Sequence, residues 1–202
     1  MISKRRIPAV SSLEKHVFDL ARVFAETSFL PAPKTVKALS GPAFPALRAR
    51  RDRPRFSLLE NNDMAVGVYD DNVTPAWAVF WAHGLEGTRP QGWNIAHVWA
   101  ATDDIESFTH LANLALIPEC FSSLTDKFGP LTGFLQWHAW SVYGWKPAEF
   151  DEPRKPEGFD GITWRYLEPT DNPRELIRSR FARHDNQRLK LLRPIMQRMG
   201  TL

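Results

Sequence analysis

The chain has one cysteine, Cys120, among 202 residues. A single thiol excludes an intramolecular disulfide and any zinc cluster built on CxxC pairs. No apolar run approaches the ~20 residues that cross a bilayer. The first fifteen residues, MISKRRIPAVSSLEK, are basic but lack the apolar centre of a secretory signal. Neither GxxxxGKS/T nor GxGxxG occurs, so no nucleotide-phosphate cradle is written in the chain. GxSxG and HExxH are also missing, which removes the signatures of two large hydrolase classes. No internal repeat or low-complexity tract is present. These absences lead to the expectation of a cytoplasmic protein with no membrane partner.

Large aromatics are plentiful, with eight Trp and thirteen Phe. A core built on them is the first reading, with base stacking as the functional alternative. The length suits one well-buried core with at most a small appendage. Charge is unevenly spread. Residues 1–55 carry twelve Lys/Arg against four Asp/Glu, and residues 56–146 carry three against ten. From Arg174 onward the balance is eight against two. Basic ends around an acidic centre suit either a phosphate backbone with a cation between, or simply solvated helix faces. The densest positive run is RARRDRPR, and Arg50, Arg51 and Arg53 within it are the candidate substrate contacts.

Periodicity supplies the elements. Leu13, Val17, Leu20, Ala21 and Phe24 make the apolar stripe of a helix over 15–27, capped by Ser11 or Ser12 and ended by Pro31 and Pro33. A short helix is expected over 35–39. MAVGVY (64–69) reads as a strand and Asp70-Asp71-Asn72 as a turn. AWAVFWA (76–82), apolar almost throughout, reads as a central strand closed by His83 at a turn. Leu131, Phe134, Leu135, His138 and Val142 share a helical face, with Gly144 as the C-cap and His138 buried in it. Residues 146–160 read as an exposed linker, ITWRYLEP as a last strand, and the chain from Pro173 as a basic amphipathic helix interrupted at Pro194. The fold class is α+β: a small, mainly antiparallel sheet over residues 64–118, packed by helices. Three segments are expected, a basic helical one over 1–55, the α+β core over 56–148, and a linker with a basic helix over 149–202.

The stretch WNIAHVWAATDDIESFTHLANLALIPECFSSLTDK (93–127) is the centre of the functional reading. WNIAHV alternates as a half-buried strand ending near His97. A polar, acidic loop follows; Asn113 opens the short strand LALIP, and residues 119–127 are compatible with a helix. An imidazole ordinarily titrates near neutrality, so His97 is the candidate to take a proton from water. The amide of Asn113 can bridge backbone groups across the loop. His110 lies in that loop as a substrate or metal contact. For a metal, Asp126, Glu119, Asp103, Asp104, Asp70 and Asp71 are all available and spacing does not choose among them; Asp126, on the expected helix, is the candidate that its neighbours could bring near His97, with a helix C-cap or a surface charge as the other reading. Cys120, beside Pro118 and Phe121, is expected to be a buried, inert thiol.

His97 and Asn113, sixteen positions apart across a strand–loop–strand–helix unit, resemble the ββα-metal nucleases, the HNH or His-Me finger family. The resemblance covers about 35 residues. It implies a metal-dependent endonuclease in which His97 is the general base, Asn113 steadies the loop, and helix-borne ligands bind one divalent ion, Mg²⁺, Mn²⁺ or Zn²⁺. The implied partner is nucleic acid, DNA foremost, with a protein partner or a homo-oligomer left open. The sequence departs from the family pattern at Ala96, where an Asp or His ligand is usual, and at Ser122 or Ser123 in place of a second ligand. Those departures raise the alternative of a non-catalytic protein that binds nucleic acid or protein on the same scaffold.

Overall fold

The computed structural model describes residues 16–86, 89–126 and 129–202; the Ser11/Ser12 cap, Leu13 and Lys15 lie outside them. Seven α-helices among the described residues surround two small sheets, which is the α+β class expected. The first sheet joins β1 (Ala46–Arg48), β3 (Met64–Asp70) and β2 (Leu58–Asn61) in that order. β1 runs parallel to β3 and β2 antiparallel to it. Asn62 and Asp63, both at positive φ, make the tight turn between β2 and β3, as short polar side chains allow. The second sheet is the antiparallel hairpin β4 (Trp93–His97) and β5 (Leu114–Pro118), in which His97 faces Leu114 and Trp93 faces Pro118. The expected single sheet over 64–118 is therefore two.

The reason lies in AWAVFWA, which is not a strand. Val73–Ala82 forms α3, buried on nearly every side. Continuous apolar runs do not distinguish a buried strand from a buried helix. Here the N-terminus decides: the Asp71 carboxylate accepts from Val73 N–H at 2.9 Å and the Thr74 hydroxyl bonds Asp70, while Pro75 sits in the first turn, where its missing N–H costs nothing. His83 closes the helix as a buried residue. Its Nδ1–H donates to Val79 O at 2.7 Å, and its Nε2 accepts from Ala32 N–H at 3.1 Å.

The remaining helices are α1 (Val17–Thr27), α2 (Pro33–Leu39), α4 (Ile105–Phe108), α5 (Thr132–Tyr143), α6 (Pro173–Arg183) and α7 (Gln187–Arg198). Gly144 caps α5 at φ 66°, the left-handed region that glycine enters freely. On α5, Leu131, Phe134, Leu135 and His138 are buried as expected, but Val142 is exposed. The C-terminal helix breaks at His184–Asn186, where Asn186 caps α7, and Pro194 lies inside α7 instead of ending it. ITWRYLEP contributes a single bridge, Leu30 to Tyr166, and no strand. Residues 119–124 form a 3-10 helix, and Cys120 on it is exposed, not buried.

Two apolar clusters form the core. One joins α2, β1, α3, Ile95 and Leu116 of the hairpin, α6 and α7. The other joins α1, α5, Val98, Trp99, Ala115, Ile117 and Phe121. The hairpin lies between them and supplies alternate residues to each, as a strand's period of two requires. α2 and β1 thus meet α6 and α7 in the first cluster.

A buried ion pair ties the C-terminus down. Arg188 on α7 bonds the Asp70 carboxylate, which is fully buried, and reaches Asp71 at 3.0 Å. Its guanidinium also lies over the rings of Phe56 and Trp77. Arg55 holds the other oxygen of Asp71 at 2.8 Å. Although burial opposes it, the Arg55 hydrogen bond, the Val73 N–H and the nearby Arg188 charge hold the Asp71 carboxyl below the usual range.

Candidate active site

The loop between β4 and β5 is ordered by one amide. Asn113 is fully buried; its Oδ1 accepts from Trp99 N–H at 2.7 Å and its Nδ2–H donates to Ser107 O at 2.9 Å. Its own carbonyl accepts from Val98 N–H at 2.9 Å. One residue thus pins the start of the loop, its far side and the hairpin ladder. Asp104 caps α4 within the loop by accepting from Glu106 N–H at 3.2 Å and from the Ser107 hydroxyl. This placement fixes Phe108, and Phe108 fixes His97.

His97 ends β4. Its Nε2–H donates to Phe108 O at 3.1 Å, and its ring stacks on that of Phe108 at 5.2 Å between centroids. A carbonyl oxygen can only accept, so the proton resides on Nε2 and the lone pair on Nδ1. No hydrogen bond from a described residue occupies Nδ1. Burial lowers the His97 pKa to about 4, with the Arg48 charge adding to the fall and the Phe108 bond opposing it. The ring is neutral at neutral pH and able to accept a proton, though as a weak base. An anion bound beside it would raise its basicity.

His97 lines a cavity of about 390 Å³ along the open edge of β4. Arg48, Asn72, Asn94, Ser122, Asp126 and Gln136 line it together with His97. Along β4, successive side chains face opposite ways. His97 and Ile95 belong to the face carrying Phe108. Asn94 and Ala96 belong to the face of Ser122, which Asn94 Nδ2 bonds at 3.1 Å. Asp126 is exposed, and its backbone carbonyl receives the Thr132 hydroxyl at 2.7 Å. His97 and Asp126 both line this one cavity.

The other expected residues lie elsewhere. His110 is buried beside a separate groove with Lys37 and Val142. Its Nδ1 accepts from Ala112 N–H at 3.2 Å, and its ring stacks on Trp145 at 4.3 Å. Burial lowers its pKa to about 4 as well. Arg50 pairs with Asp103 at 2.8 Å, Arg53 lies over the Tyr69 ring, and Arg51 is exposed. None of the three lines the His97 cavity.

The residues that sequence reasoning passed over are Arg48, Asn72, Asn94 and Arg89. Arg48 opens the RARRDRPR run, but its place beside His97 follows from β1 pairing with β3, a three-residue strand with no periodic signal. Its backbone N–H donates to Thr102 O at 2.8 Å, and its guanidinium donates to Asn72 Oδ1 at 2.5 Å. Asn94, an amide within an otherwise apolar strand, was the one visible irregularity.

A resident metal ion does not fit this donor set. Among the described residues no three His, Cys, Asp or Glu side chains converge. The cavity offers one carboxylate, Asp126, and one imidazole, His97. Zn²⁺ requires three or four protein ligands, and the acids of the region are otherwise engaged: Asp70 and Asp71 with arginines, Asp103 with Arg50, Asp104 as a cap. Ala96 supplies no ligand.

Among the described residues no helix is long and apolar enough to cross a membrane. No protein-family model, curated protein or solved structure matches the chain.

Proposed function

We propose that the protein is a nucleic-acid phosphodiester hydrolase, an endonuclease with His97 as general base. The observation that carries this reading is the His97 ring itself: its Nε2–H is committed to Phe108 O, its Nδ1 keeps a lone pair, and it lines an open cavity beside a cation. In the reaction, water at the cavity gives a proton to His97 Nδ1 as its oxygen bonds to phosphorus. The P–O ester bond to the leaving group breaks, and the leaving oxygen takes a proton from solvent. The imidazolium then returns its proton to solvent. Arg48 faces the charge that develops on the phosphoryl oxygens. Asn113 acts through the loop, holding Phe108 where it fixes the imidazole.

The test is plasmid nicking by the full chain. Wild type should convert supercoiled to open circles, and His97→Ala should lose this by a factor on the order of 10²–10⁴ while still retarding DNA. Equal nicking by both proteins would remove His97 from the chemistry. A second reading, a nucleic-acid or protein binder without turnover, draws on Ala96 and on the lack of converging metal ligands among the described residues. It predicts retardation of DNA with no nicking by either protein, with or without Mg²⁺, Mn²⁺ or Zn²⁺.

A further inference from the structure

Most arginines that pair in this fold meet a carboxylate: Arg50 meets Asp103, Arg55 meets Asp71, Arg180 meets Glu86, and Arg188 meets Asp70 and Asp71. Two meet side-chain amides instead. Arg48 donates to Asn72 Oδ1, and Arg89 donates to Asn94 Oδ1 at 2.7 Å. No described carboxylate forms an ion pair with either. An amide carbonyl orients a guanidinium without neutralising it, so both remain full positive charges with donors to spare.

The two amides bring these charges to one place. Asn72 and Asn94 both line the His97 cavity. Asn72 also lines an adjoining cavity of about 400 Å³, bounded by Arg89, Val73, Ala76, Trp77 and Phe80. Asn94 is itself held, by Ser122. Its Oδ1 also accepts from Ile95 N–H at 3.0 Å, which closes one backbone donor of β4 to other uses. The acids nearby do not cancel the pair: Asp71, in the second cavity, is taken by Arg55 and Arg188, and Asp126, which lines the first, forms no ion pair with either arginine.

We infer that Arg48 and Arg89, each held by an asparagine, form a phosphate clamp at the junction of the two cavities, where it takes the backbone phosphates of a nucleic-acid strand. A guanidinium matches two phosphoryl oxygens with its fork of N–H groups. The apolar wall of Val73, Ala76, Trp77 and Phe80 beside it suits the sugar or base that adjoins a chain phosphate, which a free phosphate ion would leave uncovered. The clamp names the binding groups of the proposed nuclease and rests on that reading for its substrate class.

The test uses the full chain and a fluorescein-labelled single-stranded DNA 15-mer, read by anisotropy at pH 7 from about 50 to 200 mM KCl. Each lost phosphate contact should lower the slope of log affinity against log salt by about 0.7 for a single strand. Arg89→Ala and Arg48→Ala should each weaken binding by about tenfold, and the double variant should lower the slope by about 1.4. Arg89 is exposed on a loop, so its replacement does not endanger the fold. Arg48→Gln and a thermal melt cover Arg48. Wild-type affinity and slope in the folded double variant would overturn the clamp, as would a wild type that binds the 15-mer no tighter than inorganic phosphate measured by calorimetry. The clamp and the catalytic reading fail separately. His97→Ala should leave affinity and slope unchanged, so loss of nicking with intact arginine effects concerns the base alone. Because Arg48 also faces the reacting phosphoryl group, the separation rests on Arg89: wild-type nicking with a silent Arg89→Ala concerns the clamp alone.

Discussion

Two charged regions flank Asn72, and they use the same side chains to opposite ends. On one side, Asp70 and Asp71 meet Arg188 and Arg55, and every charge has a counter-charge within 3.0 Å. On the other, the guanidinium groups of Arg48 and Arg89 meet side-chain amides and, among the described residues, no carboxylate. The first region is closed, with Asp70 fully buried and Arg188 under the rings of Phe56 and Trp77. The second opens onto a cavity. Arginine density alone does not separate structural from functional cations; the identity of the partner does. A carboxylate spends the charge, while an amide aims it.

The histidines show the same contrast. His97 and His110 border one loop, both stack on an aromatic ring, and burial brings both to a pKa of about 4. They differ in which nitrogen is committed. His110 spends its Nδ1 lone pair on Ala112 N–H, whereas His97 spends its proton on Phe108 O and keeps the lone pair. A depressed pKa therefore reports burial, and the hydrogen-bond direction decides whether the ring is available for chemistry.

The sharpest way to break the first contrast is Arg188→Ala. It leaves the Asp70 carboxylate buried and unpaired, and should cost roughly 3–5 kcal/mol of stability in urea denaturation. Arg48→Ala, which strands no buried charge, should change the same midpoint little; equal losses would erase the distinction. Asn113→Ala comes next. Two buried groups, Trp99 N–H and Ser107 O, lose their partner, for a loss of about 2–4 kcal/mol. Nicking should fall with it, because the loop no longer holds Phe108 against His97.

Acid should affect the two histidines together. His83, His97, His110 and His138 all have folded pKa values lowered by burial, three of them to about 4. The unfolded chain therefore takes up protons first. Stability should be complete above about pH 6.5 and fall steeply as pH drops toward 4. A melting temperature flat across that window would mean the rings are hydrated. The acid limb of the nicking rate should likewise lie below pH 6.5, since Nδ1 of His97 stays unprotonated down to its lowered pKa. The smallest effect belongs to Cys120→Ser. Its thiol is exposed and lines none of the cavities described above, so stability should move by less than about 0.5 kcal/mol and nicking not at all.

Much of the site's frame was legible in the sequence. Alternation in WNIAHV located β4 to within a residue, the apolar run LALIP stopped by Pro118 located β5, and the Asn at its start, read as a residue that bridges the loop, bonds Trp99 and Ser107. The helix carrying His138 was legible from its apolar face and Gly144. What was hidden came from long-range pairing. β1 is three residues long and joins the sheet through β3, so nothing local announced Arg48 as a neighbour of His97. Asn94 gains meaning only from Ser122, 28 residues on. α3 was read as a strand because an unbroken apolar run carries no period, and the capping bonds from Asp70 and Asp71 that settle it depend on side-chain geometry. Asp126 was read as a carboxylate that could lie near His97, and the two line one cavity.

The most direct test of the account is single-turnover cleavage of a labelled DNA duplex by His97→Ala, with and without added imidazole. The account predicts that cleavage is lost and that imidazole, entering the cavity emptied by the ring, restores part of it with a dependence on the free base. Undiminished cleavage without imidazole would contradict it.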